Sequence, residues 1–242
     1  MRKSVAAAVI AVSATTSACG QTRAENGGPI VSRNYQVGNF QKIEVAGPYD
    51  VQIRTGANPG VSARGSEKLL ERTVVEVRGD KLLIRPERQK GWFDFGWSNS
   101  GKAKFSVTVP QLSGAAIVGS GDIQIDKVRG DHFEGSVAGS GGLNVGQFDV
   151  RSLKLAIAGS GGVKAASGRA QNVGLEIAGS GDIDARGVQA QTADVSVAGS
   201  GNVAAHATRT ADVEIMGSGD VEVTGGAKCK ISKAGSGDVR CG

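Results

Sequence analysis

Leu175-Glu176-Ile177-Ala178-Gly179-Ser180-Gly181-Asp182-Ile183-Asp184-Ala185 decides the fold. Polar and apolar residues alternate on both sides of the central triplet: Leu175, Ile177, Ile183 and Ala185 share one phase, while Glu176 and Asp184 fall on the other. A period of two marks a strand with one face buried and one in water. The triplet Gly-Ser-Gly recurs from Gly119, Gly139, Gly159, Gly179, Gly199, Gly217 and Gly235, at spacings of 20, 20, 20, 20, 18 and 18 residues. Such a near-constant period is the signature of a repeat architecture. The alternation returns at Val195, Val197 and Val203, and again at Val213, Ile215, Val221 and Val223 around outward Glu214 and Glu222. Each rung therefore carries one strand before a corner and one after it. A looser return segment, such as Arg186 to Thr192, has room for a third.

An antiparallel meander and a parallel β-helix both fit this pattern. In the helix, equivalent residues of successive rungs lie one strand spacing apart, about 4.8 Å; in a meander they do not touch. Ser120, Ser140, Ser160, Ser180, Ser200, Ser218 and Ser236 share one phase and make sense as a ladder of touching hydroxyls, which favours an all-β, single-stranded parallel β-helix. Seven rungs would build a rod of roughly 34 Å at that spacing. The residue after each triplet reads Asp122, Gly142, Gly162, Asp182, Asn202, Asp220 and Asp238. Calcium-binding β-helix repeats carry an aspartate, but on a shorter period, and here glycine twice replaces the supposed ligand. Gly, Asn and Asp tolerate a left-handed backbone, so the position reads as part of a tight corner. Gly119, Ser120, Gly121, Gly179, Ser180, Gly181 and Asp182 are accordingly expected to be structural, with no metal bound.

Composition agrees. Glycine reaches 38 of 242 residues, about twice the roughly 7% of ordinary proteins. With 2 Trp, 2 Tyr and 6 Phe, a bulky aromatic core is excluded. The formal charge is 28 − 23 = +5, and removal of Arg2 and Lys3 with the leader leaves +3, too little and too evenly spread for a nucleic-acid footprint.

The first 18 residues read as an address. Arg2 and Lys3 precede the short apolar run Val5 to Val12 and the small residues Ser13 to Ala18, the pattern of a secretory signal peptide. Small residues directly before Cys19 look like a bacterial lipoprotein site, which would make Cys19 the lipidated first residue and the membrane a partner. Ordinary cleavage after Ala18 is the other reading. Residues 19–38 are polar, glycine-rich and aperiodic, as a tether is. Residues 39–242 form the β-helix region, with irregular rungs over 39–110 and regular repeats over 111–242.

In the irregular part, Gly47-Pro48-Tyr49 looks like one more corner, and Val74 to Val77, Lys81 to Arg85 and Phe105 to Val109 read as strands of the same solenoid. Between them, loop 86–104 gathers Trp92, Phe93, Phe95 and Trp97 within six residues. It reads either as a cap over the open end of the solenoid or as a contact surface for glycan, peptide or lipid headgroup.

Val45-Ala-Gly-Pro-Tyr-Asp-Val-Gln-Ile53, Leu69-Leu70, Gly79-Asp-Lys-Leu-Leu-Ile84 and the repeated Ala-Gly-Ser-Gly-Asp corners resemble the head GIN domain, a family described as autotransporter adhesins. The likeness runs from about Phe40 to Gly242. It implies a right-handed parallel β-helix on exported proteins, often lipoproteins, and no established catalytic residues.

The chemistry of the side chains points the same way. His132 and His206 are isolated in return segments, and no nucleophile elbow, phosphate loop or metal-spaced His/Cys cluster occurs. The outward acids Glu176, Asp184, Glu214 and Glu222 alternate with other residues without converging. These features favour a non-catalytic module of the bacterial cell envelope or surface, without cofactor, that binds an envelope glycan or protein. The alternative is a carbohydrate-active β-helix enzyme acting on acidic polysaccharide.

With Cys19 assigned to lipid, Cys229 and Cys241 remain, in an exported and oxidising setting. Counting in twos, Cys241 takes the inward phase of Val223 and Cys229 that of Ala211, which predicts a disulfide across the last corner. Facing sheets lie about 10 Å apart whereas a disulfide needs Cα atoms within about 7 Å, so the final rung must taper. Lys233 at an apolar phase already marks that rung as irregular.

Overall fold

The computed structural model describes residues 28–87 and 103–242. The leader, Cys19, the start of the tether and the aromatic cluster Trp92, Phe93, Phe95 and Trp97 lie outside the described residues. The chain forms a parallel β-solenoid of about six turns with a spacing of about 20 residues.

Strands Asp122–Gly139 and Gly142–Gly159 show how a rung is built. They pair in parallel, one rung upon the next, in three stretches: Ile123 opposite Leu143, Val128 opposite Phe148, and Phe133 opposite Leu153. The return segment thus does carry a third strand. Because like stacks on like, the core is a set of columns. Ile123, Leu143, Val163, Ile183, Val203 and Val221 form one, and Val137, Ile157, Ile177, Val197 and Ile215 another, all buried. Each such side chain contributes about 1.5–3 kcal/mol on burial. A further column shrinks along the rod, from Phe133 and Leu153 through Val173 to Ala193 and Ala211, so the cross-section narrows toward the C-terminus. Gly135 sits in the core beside its widest part. A Cβ there would lie 2.7 Å from Cδ2 of Leu143 and 2.9 Å from Cδ2 of Leu155, so the missing side chain makes room for larger neighbours. The change from 20 to 18 residues is absorbed in the return segment, where the register shifts between Ala190 and Thr192; Val195 still faces Val213.

The corners correct two expectations. The left-handed residue is the first glycine of the triplet, with φ 135° at Gly179, whereas Gly142 and Gly162, in the phase of Asp182, have no positive φ. Asp182 instead opens an extended strand, Asp182–Asp184. Nor do the serine hydroxyls touch. All seven serines are exposed, and among the described residues no hydroxyl–hydroxyl bond joins them. The ladder is made by backbone: Ser180 N–H donates to the Gly159 carbonyl at 2.8 Å, and Ser200 N–H to Gly179 at 2.9 Å. The third glycine lies flat on the rung before. A Cβ at Gly181 would run into the Gly161 carbonyl and lie 2.8 Å from Cγ2 of Ile157, so close approach, and not backbone strain, demands glycine there.

The N-terminal end departs from the pure solenoid. Lys42–Ala46, Asp50–Thr55 and Gly114–Gly119 pair in parallel with their neighbours, and Gly47-Pro48-Tyr49 is a true corner, with Gly47 N–H donating to the Val118 carbonyl at 2.9 Å. Outside them the pairing turns antiparallel. Ile30–Tyr35 lies on Gly60–Ser66, which lies on Ala103–Val109, and Thr73–Arg78 forms a hairpin with Lys81–Pro86. Between these edges a one-turn helix, Glu67–Glu71, starts at Ser66, whose hydroxyl accepts the Leu69 N–H, and buries Leu69 and Leu70. The Thr73 hydroxyl donates to the Leu69 carbonyl at 2.7 Å and sits 2.9 Å from the Tyr49 hydroxyl. Within the described residues, this helix covers the end over which one of the two readings of loop 86–104 places a cap.

At the other end, Cys229 stands opposite Ala211 and Cys241 opposite Val223, and the two form a disulfide with Cα atoms 6.6 Å apart. Among the described residues no further rung covers this one, and Cys229 is half-buried, Cys241 is exposed, and Ile231 keeps 48% of its surface. Lys233, opposite Ile215, turns its Nζ to the Gly237 carbonyl at 2.8 Å.

Gly179→Ala and Gly181→Ala should each lower stability by about 1–3 kcal/mol, the second through overpacking and the first through overpacking together with backbone strain. Ser180→Ala should stay within about 0.5 kcal/mol of the parent, as exposed substitutions do. Thermal denaturation of the three variants checks this. Reduction of the disulfide should cost up to about 3 kcal/mol on the loop-entropy estimate. Hydrogen exchange should then rise in Lys228–Gly235 and not in Gly142–Gly159.

Candidate binding surface

Every outward residue of a rung becomes one member of a row running along the rod. The row after the corners is largely structural. The Asp122 carboxylate accepts the Gly142 N–H at 2.8 Å, Asp182 accepts the Asn202 N–H at 3.1 Å and its amide at 2.9 Å, and Asp220 accepts the Asp238 N–H at 2.8 Å. These aspartates staple one rung to the next. Among the described residues no group of three or more His, Cys, Asp or Glu side chains is arranged to hold a metal ion.

The outward acids are brought together in pairs, which the alternation alone did not reveal. Glu176 and Glu214 lie in one row with Ser196 between them, and Asp184 and Glu222 in another with Ala204 between them. Arg186 holds Asp184 at 3.1 Å and reaches Glu222 at 4.0 Å. Its hydrogen bond keeps the Asp184 carboxyl below the usual carboxylate range, against a smaller opposing effect of burial. Glu176 is paired with Lys154 at 2.9 Å. On the return face, Arg151 pairs with Asp131 and Arg169 with Asp149, and these hydrogen bonds lower both carboxyl pKa values. His132 is exposed, and His206 Nδ1 stands 3.2 Å from the Thr224 hydroxyl, so neither histidine meets a nucleophile-and-acid set.

Shallow grooves follow these rows, one of them, of about 490 Å³, along Asp149, Arg151 and Arg169. One of about 290 Å³ runs past Glu176, Asp194, Asp212 and Glu214, and one of about 430 Å³ past Asp184, Arg186 and Glu222. Another, of about 480 Å³, crosses the N-terminal strands over Asn34, Ser62, Gln52, Ser106 and Gln124, a set that the sequence did not single out. These residues are far apart in the chain and meet only because two antiparallel pairings there give way to two parallel ones.

The family model described as "Putative auto-transporter adhesin, head GIN domain" matches residues 39–227. The chain belongs to the head GIN domain family. Its fold recurs in solved structures. A "putative adhesin" of Bacteroides fragilis superposes with a TM-score of 0.78 at 23% identity, over 90% of this chain and 99% of that one. A "putative lipid binding protein" of Parabacteroides distasonis has a TM-score of 0.69 at 26% identity, over 90% and 98%. A "putative adhesin" of Parabacteroides merdae has a TM-score of 0.67 at 18% identity, over 89% and 97%. No curated protein sequence matches the chain.

In this head GIN domain the aspartate row should act as a staple and not as a cation site. Asp182→Ala should cost about 1 kcal/mol, one net hydrogen bond, and Asp182→Asn should restore most of it. A chelator should leave the melting temperature of the parent unchanged; a drop would assign the row to a metal.

Proposed function

We propose that this head GIN domain protein is a non-catalytic binding module of the bacterial cell envelope. Lipidated Cys19 holds it to a membrane, and the solenoid presents its rows to an envelope glycan or protein. The observation that carries this reading is that Glu176, Asp184, Asp122 and Asp182 are bound by lysine, arginine or the next rung, in a scaffold that repeats one backbone contact along its length. The adhesin names of the family and of two of its structural neighbours, and the lipid-binding name of the third, support a surface module.

The enzyme alternative has one feature in its favour: Asp184 and Glu222 stand two strands apart, about 9.6 Å at the usual spacing, near the separation that inverting glycosidases use. A glycosidase general acid needs a raised pKa, whereas the guanidinium of Arg186 pushes Asp184 the other way. Incubation with acidic polysaccharides should release no oligosaccharide, and turnover would reject the binding-module reading.

The aromatic cluster enters as the contact surface. Trp92→Ser together with Trp97→Ser should leave the melting temperature unchanged and remove capture of the non-lipidated protein by envelope extracts. A large fall in melting temperature with capture intact would make the loop a cap instead.

A further inference from the structure

Seven strands lie edge to edge at the N-terminal end, in the order Ile30–Tyr35, Gly60–Ser66, Ala103–Val109, Asp50–Thr55, Asp122–Gly139, Gly142–Gly159 and Gly162–Ala165. One outward row across them reads Asn34, Ser62, Ser106, Gln52, Gln124, Asn144 and Lys164, each in register with the next. Six successive strands thus present one uncharged hydrogen-bonding side chain each, over about 24 Å at the usual spacing. All are exposed except half-buried Ser62, and none of the six side chains bonds another described residue. Elsewhere such side chains are used between rungs, as where the Thr192 hydroxyl donates to Asn172 Oδ1 at 2.9 Å. Here they are left to solvent.

The flanking row supplies charge. Arg64 and Lys104 are in register on adjacent strands, exposed, and in no ion pair with a described residue. Asp50 and Asp122 follow them on the next two strands. Gly142 and Gly162 then replace the stapling aspartate, so beside Asn144 and Lys164 the floor drops to bare backbone, with open space above Gly162. From Lys104 to Lys164 is four strands, about 19 Å.

We propose that this row is a binding track for an extended acidic polysaccharide, lying along the rod with its hydroxyls on the amides and serines. Carboxylates meet Arg64 and Lys104 at one end and Lys164 at the other. Amides and hydroxyls both donate and accept, as sugar hydroxyls do, and the row has no apolar side chain of the kind that anchors a peptide. Asp50 and Asp122 between the cations repel a ligand charged at every unit, which selects a chain whose acidic sugars alternate with neutral ones. The proposal rests on the reading of the protein as an envelope binder, and assigns that reading a ligand class.

Affinity electrophoresis of the full chain, with Cys19→Ser to prevent lipidation, tests it in gels containing hyaluronan, polygalacturonate or dextran. Hyaluronan, acidic at every second sugar, should retard the protein most. The pair Arg64→Gln with Lys104→Gln, and separately Gln52→Ala with Gln124→Ala, should each weaken retardation at least tenfold with unchanged melting temperature. Parent-like retardation of both double variants, equal retardation by dextran, or no retardation of the parent in any gel overturns the track. Envelope capture measured on the same samples judges the broader reading separately, since capture that survives without polysaccharide binding removes the track alone.

Discussion

At every corner the backbone of one rung lies directly on the backbone of the next. The amide of each serine from Ser140 to Ser236 donates to the first glycine carbonyl of the rung before, at 2.8 to 3.0 Å. The glycine that follows has no room for a Cβ. This contact sets the register of everything else. Once two corners are stacked, Ile123 must lie under Leu143 and Val137 under Ile157, and the core becomes columns of like residues. A register slip of one residue would turn each column out to water, so the corner and the alternation enforce each other.

A structure that propagates by one contact has no natural end. Its first and last rungs expose strand edges and inward side chains, which must be closed to prevent pairing with other chains. The two ends are closed by different means. At the N-terminus the parallel order gives way to antiparallel strands, and a helix of one turn puts Leu69 and Leu70 into the opening. At the C-terminus the column that begins at Phe133 has already shrunk to alanine. There a disulfide crosses the narrowed section and a lysine turns back over it.

The same geometry shapes the surface. A residue facing outward is repeated at one strand spacing, so surface chemistry comes in rows. Over the C-terminal rungs Asp182 and Asp220 are staples, and Glu176 and Asp184 are paired with lysine and arginine. Toward the N-terminus the strands come from distant parts of the chain, and the residues that share a row are amides, hydroxyls and unpaired cations. In that one row hydrogen-bonding capacity is left free of structural demand, which suits a module that holds a ligand without transforming it.

The period of Gly-Ser-Gly and the alternation around it determined the length of a rung, its corner and its inward set, including the inward phase of Cys229 and Cys241, because each depends only on counting along the chain. The tertiary structure decided what counting does not reach. Glycine at 179 and glycine at 181 read alike in sequence, and both lie against a carbonyl of the rung before, yet only Gly179 is also held at a positive φ. The serines looked like a hydroxyl ladder, but their side chains face water and their amides make the bond. Asp182 resembled a turn residue and proves to be an acceptor for the next rung. The helix at Leu69 and the row from Asn34 to Asn144 were not legible at all, since they depend on which distant strands become neighbours where the repeat breaks down. Local periodicity encodes position within a rung; contact between rungs, and pairing without a repeat, exist only once the chain has folded.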